Sequence, residues 1–294
     1  MTTSLEGREL KDDIIRFCKQ KDADIVGFAP VERWDEFGEV PPAFRPRAIF
    51  PQARTVIVFG MSMPLPVVET TPSALHKEVY DTTNRQLDNL IMELTRHLNR
   101  IGHASFPFTR DTYTSMRALK SANIAAFGHV PAAKYAGLGT IGMSHCLLTP
   151  EFGPRVRFAS VFTTAEIPAD DLQPKELCIK CELCALLCPK NAIKVREDQI
   201  IGDYDKTACL KMHEELVANR ANPCGICTKV CPVGKDRQLY KSKNIRKKYV
   251  EEKEKLETNP EDPAYQSWSH IRRYGVSHKP RSGGNDKGGT NGQV

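Results

Sequence analysis

The chain has 294 residues, of which 27% are charged and 40% hydrophobic, and a formal net charge of +6. That length gives room for about two domains and a sizeable core, and the composition is ordinary for a soluble globular protein. No apolar run approaches the roughly 18 residues that span a bilayer, the opening "MTTSLEGRELKDD" has no basic stretch followed by an apolar one, and the charge is too mild to demand an anionic partner; the expectation is a cytoplasmic protein with no membrane partner.

In chain order, "LKDDIIRFCKQ" sets Leu10, Ile14, Phe17 and Cys18 at helical spacing, which predicts a first helix with Cys18 on its apolar face. "ADIVGFAP" and "RTVIVFG" are short β-branched and aromatic runs that end in Gly or Pro and read as buried strands. "QLDNLIMELTRHLNRIG" puts Leu87, Leu90, Ile91, Leu94, Leu98 and Ile101 on one face, with Gly102 as a stop, and predicts a helix that starts well before Gln86. "VRFASVFT" at 156–163 reads as a further strand. Strands and helices alternate, so residues 1–165 are expected to form an α/β domain. A cysteine-rich module follows at 166–234, then a charged segment at 235–280. The tail at 281–294, rich in glycine and almost free of apolar residues, is expected to be disordered.

Of ten cysteines, Cys178, Cys181, Cys184 and Cys188 follow the run C-x2-C-x2-C-x3-C-P. This is the bacterial ferredoxin pattern, in which the first three thiolates hold one cube and the fourth turns toward its neighbour. Cys224, Cys227 and Cys231 repeat the pattern without a first member, since position 221 is Ala221. The remaining nearby cysteine is Cys209, in "YDKTACLKM". The expectation is a first [4Fe–4S] cluster on Cys178, Cys181, Cys184 and Cys231, and a second on Cys188, Cys209, Cys224 and Cys227. Zinc is the alternative, but its sites favour two separated pairs over a continuous run that ends in proline. Cys18 and Cys146 stand among apolar neighbours and read as small buried hydrophobes.

Residues 1–165 are far more than an isolated ferredoxin needs, which suggests a redox site upstream of the clusters. Gly137, Gly139 and Gly142 in "AGLGTIG" permit close backbone approach to a cofactor. As a dinucleotide fingerprint "GLGTIG" is weak, because no clear strand precedes it and no acidic residue follows about 20 positions on. "AGLGTIG", then "LLTPEFGPRVRF", then the cysteine module, together with "ADIVGFAPVERW" and "RTVIVFG", resemble the epoxyqueuosine reductase and reductive dehalogenase superfamily over residues 10–234. "TPEFGPRVR" is closer to the dehalogenase side.

The resemblance implies a nitroreductase-like, corrinoid-binding α/β domain, followed by a ferredoxin-like module that feeds electrons singly to base-off cobalamin. It also implies a low-potential electron donor of ferredoxin or flavodoxin type and a small organic substrate, with tRNA as a second possible partner. Epoxyqueuosine reductases carry a catalytic Asp where this chain has Asn123, and an amide is no acid, though it can donate a hydrogen bond. The respiratory dehalogenases carry a twin-arginine leader, which "MTTSLEGRELKDD" does not resemble. Tyr80, Tyr113 and Tyr135 are the candidate proton donors. Arg110 and His129 read as a solvated Arg and a satisfied His. The basic run from Lys235 to Lys248 could meet tRNA phosphates or an acidic electron donor, or pair with the glutamates that follow it. Two function classes stay open: a reductase with its own substrate, and an electron-transfer protein that reduces a partner enzyme.

Overall fold

The computed structural model describes residues 2–110, 118, 120–121, 125–217 and 220–259. Tyr113, Asn123, residues 260–280 of the charged segment and the tail at 281–294 lie outside the described residues.

Helix α1 (Thr2–Gln20) leads into strand β1 (Ile25–Pro30), and β2 (Thr55–Ser62) into the long helix α2 (Ala74–Arg100). Strand β3 (Ser105–Phe108), helix α3 (His129–Tyr135), the small hairpin β4 (Thr140–Ile141) and β5 (Leu147–Leu148), and strand β6 (Val156–Thr163) follow. The main sheet has the order β1-β2-β6-β3 and every pair in it is antiparallel. The α/β expectation therefore takes the form of an antiparallel sheet under helices. "GLGTIG" leads out of α3 into β4, not from a strand into a helix, so the dinucleotide reading has no structural support.

Both faces of the sheet are covered. Ile57 and Phe59 face α1 and α2, packing on Ile14, Cys18, Leu87, Ile91 and Leu94. Val56 and Val58 face the other way, against Trp34, Phe127, Ala132 and Tyr135. A strand buried on both sides must be apolar at every position, which is why "TVIVFG" runs unbroken where a half-exposed strand would alternate. Helix α2 starts at Ser73, whose hydroxyl accepts from the His76 amide at 3.0 Å.

After β6 the chain doubles back along β1. The Asp170 amide donates to the Phe28 carbonyl at 3.0 Å, and Lys11 pairs with the Asp170 carboxylate at 2.6 Å. The cysteine module then supplies helix α4 (Leu183–Leu186), the hairpin β7 (Ile193–Lys194) and β8 (Asp203–Tyr204), and helices α5 (Lys206–Val217) and α6 (Ile226–Val230). Short helix α7 (Asp236–Leu239) and helix α8 (Ile245–Thr258) close the fold. Lys241 and Asn244 take left-handed backbone, with φ of 49° and 51°, so the charged helix begins only at Ile245. Tyr249 of α8 packs on Leu183, Leu187 and Val230 and donates to Glu69 at 2.9 Å, so α8 touches the module and the sheet domain alike. Among the described residues no helix is long and apolar enough to cross a membrane.

Candidate functional site

The cysteine thiols meet in two groups. Burial first, then the neighbouring Cys231, Cys181 and Cys178, push the Cys184 thiol up to about 12, which puts these four together. The same four line one small cavity with Gly142, Ser144 and Leu148 of the hairpin. Burial likewise pushes Cys231 up to about 12, against the pull of Arg155 and Arg237. Both guanidinium groups donate to the Cys231 carbonyl, Arg155 at 3.2 Å and Arg237 at 2.8 Å. Arg155 is fully buried and grips Asp236 through two bonds of 2.6 Å. The "PRVR" stretch thus holds the loop of the last cysteine in place.

The second group is Cys188, Cys209, Cys224 and Cys227. Burial, then Cys209 and Cys188, push Cys224 up to about 12, and Cys209 and Cys224 both act on Cys227. The displaced Cys209 reaches this group from α5. It takes a hydrogen bond from the Tyr204 side chain, and the Cys188 sulfur takes one from the Ala192 amide at 3.3 Å. Such donors stabilise the negative charge of ligating sulfurs.

A ninth thiol joins this second group. Cys146 lies beside Cys227, within hydrogen-bond reach of it and of Ser144 and Thr228. Its setting is therefore polar on one side, where its sequence neighbours suggest a wholly apolar one. The cause is the hairpin: His145 turns left-handed with φ 60° and the Gly142 amide bonds to the Cys146 carbonyl at 3.0 Å, which aims the thiol at the module. The glycines make that hairpin possible. A Cβ on Gly139 would stand 1.9 Å from the Leu148 carbonyl oxygen, and one on Gly137 (φ 74°) 2.1 Å from that of Asp171. The close approaches of Gly137 and Gly139 are thus to the chain's own backbone, while Gly142 borders the first thiol group. Cys18 is buried in the core, which pushes its thiol up to about 12.

Helix α2 brings a polar row to the second group. His76, Tyr80 and Asn84 recur every fourth residue and so share one face. Thr71 donates to the Cys224 carbonyl at 2.6 Å, and its oxygen lies 3.2 Å from His76 Nδ1. Since Thr71 spends its proton on Cys224, Nδ1 is the donor and Nε2 carries the lone pair. Burial, then Arg157 and Lys229, lower His76 to about 4, so the ring is neutral at pH 7. The Tyr80 ring lies 6.1 Å from that of His76, under the Arg157 guanidinium at 4.4 Å. Arg157 also donates to Asn84 Oδ1 at 3.0 Å. His76 and Asn84 are each 1% exposed, and among the described residues His76 Nε2 and Asn84 Nδ2 find no hydrogen-bond partner. A buried polar atom left in this state calls for a ligand or water.

The other candidates lie elsewhere. Tyr135 is wedged between Trp34 and Phe37 and donates to Glu39 at 3.1 Å; burial raises its hydroxyl, so its setting is that of packing. Arg110 pairs with Asp88, and His129 bonds Ser160 at 2.9 Å and the Thr109 carbonyl at 3.0 Å.

Residues 177–235 match the family described as 4Fe-4S dicluster domain. A tetrachloroethene reductive dehalogenase of Desulfitobacterium hafniense is 25% identical over 235 residues, covering 74% of this chain and 38% of the dehalogenase. An epoxyqueuosine reductase of Synechococcus sp. is 33% identical over 112 residues, covering 34% of this chain and 32% of the reductase. The chain's relatives are reductases of both kinds. Solved structures agree on the fold. A reductive dehalogenase, whose structure suggests a mechanism for B12-dependent dehalogenation, superposes with a TM-score of 0.59 at 19% identity, covering 98% of this chain and 42% of that one. An epoxyqueuosine reductase bound to a modified tRNA stem loop gives 0.51 at 17%, covering 76% and 65%. The chain spans 38% of the length of the dehalogenase relative it matches.

The donor sets suit iron–sulfur clusters: each group offers four soft thiols, and the second adds an amide and a phenol as hydrogen-bond donors. Among the described residues no three His, Cys, Asp or Glu side chains close on a single metal ion. For an organic cofactor there is a cavity of about 380 Å³ with Cys209 of the second group in its wall. Val40, Pro41, Phe44 and Leu210 make its apolar sides, and Glu39, Lys206, His213 and Tyr204 its polar ones. This is the mostly apolar lining with few polar groups that binds cofactors; its volume takes the edge of a corrin ring rather than a whole corrinoid.

Proposed function

We propose that the chain is an iron–sulfur reductase in which two [4Fe–4S] clusters pass single electrons to a corrinoid and an organic substrate in the sheet domain, in the manner of reductive dehalogenases. The first cluster takes Cys178, Cys181, Cys184 and Cys231, the second Cys188, Cys209, Cys224 and Cys227. What carries this reading is the joint between the second thiol group and the sheet domain. Thr71 bonds the Cys224 carbonyl, Cys146 bonds Cys227, and the row His76, Tyr80, Asn84 with Arg157 stands directly behind them. A ferredoxin whose electrons left for a separate enzyme would not need this buried polar face.

The corrinoid, when bound, supplies a low-potential cobalt able to reduce a carbon–halogen bond. The residues that would hold it are the cavity walls, Val40, Pro41, Phe44 and Leu210, with Lys206 and His213 for its polar groups. Tyr80 serves as the proton donor, its ring fixed under Arg157. His76 Nε2 accepts a hydrogen bond and Asn84 Nδ2 donates one, so together they orient a polar substrate and displace its water. Arg157 attracts the anion that leaves. Reduction of an epoxide on tRNA is the subordinate reading, since Asn123 takes the place of the family's acid.

Anaerobic reconstitution followed by iron, sulfide and cobalt analysis tests the proposal. The expected result is about eight irons per chain, retained cobalamin, and a base-off cob(II)alamin paramagnetic spectrum. Full clusters without corrinoid would leave the electron-transfer reading in its place, and unchanged queuosine in a deletion strain would remove the tRNA reading.

A further inference from the structure

The basic run after the clusters divides in the structure. Arg237 is buried beside Cys231. Lys235 pairs with Glu151, Lys247 with Glu251 and Lys248 with Glu69. Lys241, Lys243 and Arg246 are exposed and make no ion pair among the described residues. Their place is set at both ends. Arg237 fixes the start of this segment to the Cys231 carbonyl, and Arg246 fixes its end to the Cys181 carbonyl at 3.4 Å. Ile245 packs with Cys181 and Cys184 on the same buried cluster of Leu183, Leu187, Val230 and Tyr249. Residues 237–246 therefore wrap the first thiol group from its last ligand to its second.

This wrap carries exposed apolar side chains among its charges. Leu239 is 75% exposed and Tyr240 43%, and on the ligand loop itself Ile179, between Cys178 and Cys181, is 67% exposed. Within that loop region Lys175 and Lys180 offset Glu176 and Glu182, so the net charge of the face comes from Lys241, Lys243 and Arg246. The second thiol group is covered on one side by α2, the glycine hairpin and Tyr204, and opens on the other to the cavity lined by Cys209.

We propose that this face, with Ile179, Leu239 and Tyr240 at its centre and Lys241, Lys243 and Arg246 at its rim, docks an acidic one-electron carrier protein that reduces the first cluster. An apolar, tyrosine-bearing centre inside a charged rim is the anatomy of a transient protein interface, and complementary charge speeds the encounter. The step is one electron and no proton: the carrier's reduced centre is oxidised, and the first cluster goes from its 2+ to its 1+ state. The inference rests on the cluster assignment above and gives the chain a direction, in at the first cluster and out from the second.

The test is anaerobic stopped-flow reduction of the reconstituted full chain by a reduced plant-type [2Fe–2S] ferredoxin, with dithionite as the small reductant. In Lys241→Glu/Lys243→Glu the ferredoxin rate at low salt should fall about tenfold or more and lose most of its salt dependence, while iron content stays full and the dithionite rate stays within about twofold. Leu239→Ser should weaken the encounter and keep the salt dependence. A ferredoxin rate untouched by both variants overturns the proposal. So does a double variant that loses affinity for a tRNA stem loop while its ferredoxin rate is unchanged, which would give the face to RNA. A wild-type chain that takes up no iron would sink the cluster assignment itself, a result distinct from failed docking.

Discussion

On the proposed reading, single residues around α2 govern what the second thiol group can deliver. Tyr80→Phe keeps the ring under Arg157 and removes only the hydroxyl. Turnover of a chlorinated ethene or halophenol should fall about a hundredfold or more, with iron and cobalt per chain unchanged; equal loss of cofactor would make Tyr80 structural. His76 gives a pH signature. In the unfolded chain it gains a proton as pH falls through its ordinary value of 6.5, but in the fold not until about 4. Stability is thus unaffected above 6.5 and falls across that window, by about 1 kcal/mol between pH 7.5 and 5.5. In His76→Gln the anaerobic unfolding curves of the holoprotein should lose that share of the pH dependence. Tyr80 is legible in the sequence as one candidate proton donor among three, but its partners are not, since α2 shows mainly its apolar stripe. His76, Tyr80 and Asn84 become a unit when β6 supplies Arg157.

At the scale of elements, local pattern served well. "VRFASVFT" forms β6 over the residues its composition marks, and the apolar face of α2 lies in the core as its spacing requires, save for Ile101 at its end. The hairpin after "AGLG" is the case where pattern leaves the role open. Glycines permit close approach, but the sequence does not say to what, and in the fold two of them approach Leu148 and Asp171. Substitution separates the roles. Gly139→Ala puts a methyl on the Leu148 carbonyl, which cannot move without breaking the hairpin, and should cost about 3 kcal/mol or more. At Gly142 the Cβ meets only the Leu148 side chain, at 2.8 Å, and not a backbone atom, so Gly142→Ala should cost less, about 1–2 kcal/mol. Thermal midpoints of the two holoproteins measure the difference. Cys146 escaped the sequence for the same reason: a turn, not a spacing, brings it to Cys227.

Over the whole molecule, ligand spacing is local and therefore readable, whereas the surfaces it serves are not. Three cysteines of each group lie close in sequence or echo a known run, and counting points to Cys209 for the vacant place. The structure sets Cys209 beside Cys188 and Cys224. Cys209→Ser should therefore drop iron from about eight to about four per chain, and remove one of two reduced-cluster paramagnetic signals, leaving the first cluster's signal. Loss of both signals would mean that the clusters assemble as one unit. Charge is legible only in part: the run pairs with a following glutamate at Lys247 as its composition allows, but the burial of Arg237, the pairing of Lys235 and Lys248 with distant Glu151 and Glu69, and the residues without an ion pair among the described residues depend on the fold.

Arg155 bears on how the chain is made. It is fully buried just before the first residue of the inner strand β6, and its side chain bonds Asp236 and the carbonyls of Cys231 and Val233. All of these leave the ribosome long after the sheet is complete. Until then the sheet domain carries a bare guanidinium that it cannot bury without several kcal/mol of penalty. Nascent chains halted before the last cysteine should stay protease-sensitive through the β6 region, and become resistant once residues through 236 emerge. The cysteine module is in that sense the final strut of the sheet domain, and under the proposed cluster assignment cluster insertion and sheet closure fall in the same interval of synthesis.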